Sequence, residues 1–198
     1  MKTLRVTSKI EQKVLVCAVV VALGAGLAAC SSGSSTTSTT TVPQSAKTYL
    51  QQGLLAQKVG NYSQAMVNYQ KAIAADPSNA GEIAALAYYD LGVISQRTRG
   101  ELALSRSYYH KALALDPKLI NATYNLAISY SPTNPIYAQT LFDRVLAKQP
   151  NNASALFYSG LLAYRQGNIT LGVQRMKSAI AINPKLASRV PSTVNLNQ

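Results

Sequence analysis

Few side chains in this sequence of 198 residues could serve as nucleophile, acid, base or metal ligand: Cys17, Cys30, His110 and seven carboxylates. Catalysis needs such groups in positioned sets, and the spacing here does not supply them. Asp76 and Asp116 each precede a proline, a helix-ending slot. Asp90, Glu101 and Asp143 fall on helical stretches with no second carboxylate three or four residues on. His110 stands between Tyr109 and Lys111, on the outer side of its helix, and reads as a surface imidazole. No glycine-rich phosphate loop and no metal-ligand spacing occurs. The expectation is therefore no enzyme, no cofactor and no metal site. Cys30 differs from the rest. It follows Leu27-Ala28-Ala29, two small residues through which a peptidase can reach the backbone, and its thiol is the one good nucleophile nearby.

The stretch that positions Cys30 is an export signal by its form. Lys2, Arg5, Lys9 and Lys13 make the first thirteen residues basic, and Val14 to Ala29 then run sixteen residues without a charge. That is a positive n-region followed by an apolar h-region. A membrane-spanning helix wants about 20 apolar residues; this run is shorter and carries Gly24 and Gly26. Leu27-Ala28-Ala29-Cys30 resembles the lipobox of bacterial lipoproteins. The resemblance implies that 1–29 is removed and that Cys30 becomes the mature N-terminus, thioether-linked to diacylglycerol; an uncleaved signal anchor is the alternative. Two or more acyl chains anchor stably where one is marginal, at about 0.8 kcal/mol per buried CH₂. The mature chain would then hold no thiol for a disulfide, a zinc site or an iron–sulfur cluster. Ser31 to Thr41 contain only Ser, Thr and Gly, so 30–45 is expected to be a lipidated cysteine and a disordered tether, with a reach on the order of 20 Å. The localisation implied is lipid-anchored on the exported side of a cell membrane or an outer membrane, with both open.

Lys and Arg outnumber Asp and Glu 19 to 7, and 15 to 6 beyond the first thirteen residues. This favours acidic partners such as anionic lipid, acidic peptide or wall polymer, with a solvated basic surface as the competing reading. Nucleic acid suits an exported protein poorly.

The rest of the chain repeats. Gly60 to Pro77 reads as a turn, an N-cap at Asn61 with Gln64 placed to close a capping box, a helix with Ala65, Tyr69 and Ala72 on one stripe, and a stop. Related stretches end at Pro117, Pro150 and Pro184, at intervals of 40, 33 and 34 residues. In the first unit Tyr49, Gly53, Gly60, Tyr62, Ala65, Tyr69, Ala72 and Pro77 occupy the slots of the tetratricopeptide repeat (TPR) pattern. In the fourth, Gly160, Gly167, Gly172, Ala179 and Pro184 do so. The chain thus resembles the TPR family over 46–190. The resemblance implies an all-α fold, a right-handed superhelix (α-solenoid) of about four helix-turn-helix repeats at 46–79, 85–118, 120–152 and 153–186, followed by a tail at 191–198. Small residues (Gly53, Gly92, Ala127, Gly160; Ala65, Ala138, Gly172) let paired helices approach, and Tyr69, Tyr109, Phe142 and Met176 fill the space between units. Residues 78–83 are an insertion that either lengthens the next helix or loops out. Arg97-Thr98-Arg99-Gly100 has one extra residue, with Ser105 in the small slot. Ser131-Pro132-Thr133-Asn134-Pro135 replaces a glycine turn and should shorten the helix before it. After Pro184 little chain remains to cap the last unit, whose apolar face is expected to be under-covered.

In the TPR family the first helix of each unit lines a groove. Carried onto this sequence, the stripe is Lys47, Leu50, Leu54 and Gln57; Leu86, Tyr89, Val93 and Gln96; Asn121, Tyr124, Ile128 and Ser131; Ser154, Phe157, Leu161 and Tyr164. The candidate binding residues are Leu50, Leu54, Tyr89, Val93, Tyr124, Ile128, Phe157, Leu161 and Tyr164, edged by Lys58, Arg97 and Arg165. For Leu50, Leu54 and Val93 the competing assignment is packing between units. An apolar, aromatic groove with a basic edge suits an extended or helical peptide with acidic character. The matching positions are too apolar for a chaperone-tail carboxylate clamp. Arg97, Arg99, Arg106 and Lys111 form a further basic cluster, fit for anionic headgroups or simply solvated. The expected function is a membrane-anchored scaffold that binds a protein or peptide in the cell envelope, where it assists assembly of a pilus, a secretion system or outer-membrane machinery. The alternative is a structural envelope lipoprotein that associates with itself, through the fourth unit.

Overall fold

Asparagine, glycine and proline punctuate the chain, and the helices follow that punctuation. The computed structural model describes residues 44–98 and 100–197; the expected signal at 1–29, the lipidation residue Cys30, the tether before residue 44, and Arg99 lie outside the described residues. The helices are α1 (Gln44–Lys58), α2 (Tyr62–Ala75), α3 (Ile83–Thr98), α4 (Leu102–Leu115), α5 (Ile120–Tyr130), α6 (Pro135–Lys148), α7 (Ala153–Arg165) and α8 (Ile169–Ile182), then a 3-10 turn (Pro184–Arg189). No strand occurs among the described residues. Each helix packs chiefly on its neighbours in the chain, so four hairpins stack in sequence as an α-solenoid.

Asn61, Asn134, Asn152 and Asn168 start α2, α6, α7 and α8 by accepting the backbone N–H three residues on, at 3.2, 3.1, 3.0 and 3.3 Å. The capping box at Asn61 is only half made: the Asn61 N–H donates to the Ala56 carbonyl instead of to the Gln64 side chain, whose amide N–H donates forward to Asn68. Gly60 and Gly167 turn the corner at φ +79° and +86°, a left-handed conformation that costs glycine nothing. Unit three does without one. There the N–H of Asn134 returns to the Tyr130 carbonyl at 2.8 Å, Pro135 opens α6, and α5 is cut to 11 residues.

The insertion after Pro77 is a loop. Asp76 is 2% exposed, and its carboxylate accepts the N–H groups of Ala80, Gly81 and Ile83. Asn79, at φ 56°, accepts the N–H of Ala85 and so caps α3 from a distance.

The large rings do more than fill the space between units. A Cβ on Gly53 would stand 2.5 Å from the Tyr69 ring, and one on Gly92 2.5 Å from Tyr109. Each ring therefore lies on the glycine of its own hairpin, and its hydroxyl donates to Gln57 (2.7 Å) or Gln96 (2.9 Å) across that hairpin. In unit four Met176 replaces the ring. The Gly160 site there meets backbone, the Gly172 carbonyl oxygen at 2.8 Å, so the two helices themselves come close.

Two further expectations are revised. The last unit is covered: Leu186 is buried against Phe157, Met176 and Ala179, and Val190, Val194 and Leu196 pack beside it. Among the described residues the exposed apolar side chains gather near the end of α1, where Leu54, Leu55 and Val59 are 46%, 65% and 80% exposed; Ile136 and Ile182 are exposed singly. Of the basic cluster of unit two, Arg99 lies outside the described residues, and Arg106 and Lys111 are engaged with other side chains. Arg106 turns into unit three, donates to the Ser129 carbonyl and the Thr133 hydroxyl, and lies 4.3 Å over the Tyr130 ring. Lys111 sits over Tyr88 and Tyr108.

Candidate binding face

The first helices of units two and three bring several of the candidate residues together. Tyr89 on α3 is half-buried, its ring centroid 6.1 Å from that of Tyr109, and its hydroxyl accepts the Asn125 side-chain N–H from α5 at 3.4 Å. One turn along, Val93, Gln96 and Arg97 join Tyr109 and Asn125 around a depression of about 320 Å³. This face offers an aliphatic wall, ring surface, two amides and an exposed guanidinium. Hydrogen bonds hold the Gln96 carbonyl and the Asn125 amide in place, so the polar groups are oriented before anything binds. Tyr124 and Ile128 on α5 are half-buried beside it, with the Tyr124 ring set edge-on to Phe142 and Tyr158 at 6.0 and 6.3 Å. Asn125 and Tyr158 were not among the candidates. Both neighbour a candidate in sequence, but the pairing of each with another unit left no local signal.

Asp90 is the charged feature of this region. It is 9% exposed, and among the described residues no hydrogen bond reaches its carboxylate. Burial pushes its pKa up to about 6. Burial, and then the Asp90 charge, raise the pKa of Tyr69 and Tyr89; burial, then Tyr89, and further Asp90, raise that of Tyr109. Those phenols are neutral donors at any physiological pH. Tyr124 is pushed up to about 12 by burial and by Tyr158, opposed in part by Arg189. Asp90 follows Tyr89 directly, and nothing local in the sequence signals its burial.

Other candidates lie elsewhere. Leu50 (9% exposed) belongs to the core with Ala65, Tyr69 and Ala87, and Phe157 (2%) to the core with Met176 and Leu186. Both are corrected to packing residues. Leu161 and Tyr164 are half-buried against the core of Phe157, Met176, Ala179 and Leu186, and the Tyr164 hydroxyl donates to the Thr193 carbonyl at 3.3 Å. Leu54 and Lys58 line a separate shallow depression near the end of α1 with Gln51 and Leu55. Lys58, Arg97 and Arg165 are all exposed. A cleft of about 430 Å³ where α5 begins and α6 ends, lined by Lys118, Arg144 and Lys148 among others, went unread in the sequence.

Residues 46–79 and 138–187 each match a family model described as tetratricopeptide repeat. A stretch of 82 residues is 35% identical to the Photosystem I assembly protein Ycf3 of Acaryochloris marina, covering 40% of this chain and 46% of that protein. The match thus spans about half of that relative. A solved tetratricopeptide repeat protein of Parabacteroides merdae superposes with a TM-score of 0.63 at 24% identity, over 72% of this chain and 55% of that one. The structure of PilW, described as a widely conserved type IV pilus biogenesis factor, superposes with a TM-score of 0.58 at 19% identity, over 74% of this chain and 64% of that one. At such identities the two structures speak for the fold alone. With repeat matches in its first and its last units and four stacked hairpins that superpose on solved relatives, the chain is a member of the tetratricopeptide repeat family, folded as a right-handed α-solenoid.

Proposed function

We propose that this protein is a lipid-anchored scaffold of the cell envelope whose α3–α5 face holds a segment of a partner protein during assembly of an envelope complex. The observation that carries the reading is the arrangement of Tyr89, Val93, Gln96, Arg97 and Asn125: ring and aliphatic surface beside oriented amides and a solvent-facing guanidinium. Such a face suits an apolar segment with an acidic residue placed to meet Arg97. The assembly role is supported by two descriptions: a relative in sequence over 82 residues is a photosystem assembly protein, and a structure that shares the fold is a pilus biogenesis factor. Which machine is served, whether pilus, secretion system or outer-membrane machinery, is a question for capture experiments. The anchor is supported by the basic and apolar run that ends at Cys30.

A photo-crosslinker placed at Val93 in the native cell is expected to trap one dominant envelope protein. Tyr89→Ala combined with Arg97→Glu is expected to cut that capture at least tenfold while circular dichroism stays unchanged. Equal capture by the variant would move the contact off this face. Cys30→Ser is expected to leave a larger, unlipidated precursor on a gel, and normal processing of that variant would remove the anchor from the proposal.

A further inference from the structure

We propose that the α5–α7 end of the inner face is a receptor for a short segment that presents an arginine followed by aliphatic residues, and that the protein's own C-terminal segment fills it in cis until a partner segment of the same chemistry displaces it. This rests on reading the inner face as the contact surface.

The C-terminal segment divides into two parts. Leu186, in the 3-10 turn, is 4% exposed and plugs the core between Phe157 and Met176; that part is a structural cap. From Arg189 onward the chain behaves differently. Val190 leaves the 3-10 turn at φ −68° and ψ 125°, and the chain then turns twice more, with the Val194 N–H donating to the Pro191 carbonyl and the Asn197 N–H to the Asn195 side chain, each at 2.9 Å. Val190, Val194 and Leu196 are only half-buried, while Arg189, Thr193, Asn195 and Asn197 are exposed. A segment needed to complete a core would be sealed; this one lies on a surface.

What it lies on is a site with chemistry of its own. The Arg189 guanidinium stands 5.7 Å over the Phe157 ring and 5.4 Å over the Tyr158 ring, and it donates to the Tyr158 hydroxyl. Those rings meet edge to face, Phe157 with Tyr158 at 5.6 Å and Tyr158 with Tyr124 at 6.3 Å, so their π faces can receive a planar cation. The charge of Arg189 is felt as far as Tyr124. Val194 and Leu196 pack against the same buried cluster as Leu161 and Tyr164, that of Phe157, Met176, Ala179 and Leu186, and the Tyr164 hydroxyl donates to the Thr193 carbonyl. A backbone carbonyl accepting a bond from the receptor, aliphatic side chains half-sunk, and a cation over aromatic rings are the contacts of a bound peptide. One of the candidate residues, Tyr164, is thus engaged by the segment.

The test uses the full-length protein and a fluorescent peptide with the sequence of residues 187–197. Arg189→Ser combined with Val194→Ser weakens the cis segment and leaves Leu186 in place. The peptide is expected to bind this variant at least tenfold tighter than the wild type, and a peptide carrying the same Arg189→Ser change is expected to lose that affinity. Equal affinity for variant and wild type would overturn the proposal. Should the variant unfold, hydrogen exchange on the wild type decides. Amides of 190–197 exchanging at least a hundredfold faster than those of α7 and α8 support a displaceable segment, whereas equal protection overturns it. A wild-type dimer that Arg189→Ser dissolves would place the segment on a second copy and overturn occupancy in cis. Capture at Val93 reports on the α3–α5 face by itself, so failure there and failure of peptide binding here are separate results.

Discussion

Asp90 carries a charge at a place where a leucine or alanine would cost less. Its carboxyl pKa rises from 3.8 to about 6 because burial penalises the ionised form. The linkage has a definite sign. Between pH 4 and 6 the folded chain binds more protons at this site than the unfolded chain, so stability falls as pH rises through that window and is level above it. A shift of this size corresponds to about 3 kcal/mol at neutral pH. Asp90→Asn is therefore expected to be more stable than the wild type by roughly that amount at pH 7 and no more stable at pH 4. Urea unfolding of both proteins at the two pH values checks it, and parallel pH profiles would mean that water reaches the carboxylate. The sequence could not disclose this. A lone aspartate on a helix reads as solvated, and its burial comes from Tyr69 and Tyr109, which the fold brings in from other helices. Gly53 and Gly92 were legible as small slots, because close helix packing demands them wherever the repeat occurs. That a tyrosine ring, and not a helix backbone, occupies the space was not, since both solutions require the same glycine.

At the level of the element, what was local was readable. Asn61, Asn134, Asn152 and Asn168 cap within three residues of themselves, and Pro135 opens a helix because it needs no N–H there; such signals act on their own neighbours. The insertion after Pro77 could not be read as loop or helix because its shape is set by Asp76, whose carboxylate reaches as far as the Ile83 N–H at 3.3 Å. The sequence assigned Asp76 only to a helix end. Its buried carboxylate satisfies three amides that would otherwise be left unpaired. Asp76→Ala is expected to destabilise by about 2–3 kcal/mol and to speed hydrogen exchange at Ala80, Gly81 and Ile83. The equivalent Asp116 holds only the Lys118 N–H, at 2.9 Å, so Asp116→Ala should cost about 1 kcal/mol or less. Equal losses from the two variants would show that the insertion orders itself without Asp76.

Across the whole molecule, the repeat was legible because stacked hairpins impose the same size pattern on every unit, whereas the binding face was legible only in its middle. The stripe counted along the first helices assumes that all four are alike. At the ends they are not: Leu50 is drawn into the core of the first unit, and Phe157 and Tyr164 are engaged by the chain that follows the last. The same end effect makes a prediction about stability. A solenoid's units rest on their neighbours alone, so a lesion at one end should spread only as far as the coupling between units carries it. Leu186 is the plug that seals the core of the fourth unit. Leu186→Ala leaves a cavity against Phe157 and Met176 and should cost that end about 2–4 kcal/mol. The expected result is faster amide exchange throughout α7 and α8, little change in α5 and α6, and none in α1 to α4. Uniform loss of protection along the chain would mean instead that the Asp143–Arg175 pair at 2.7 Å and the other contacts between units bind the hairpins into one cooperative block, in which the cap stabilises the first helix as much as the last.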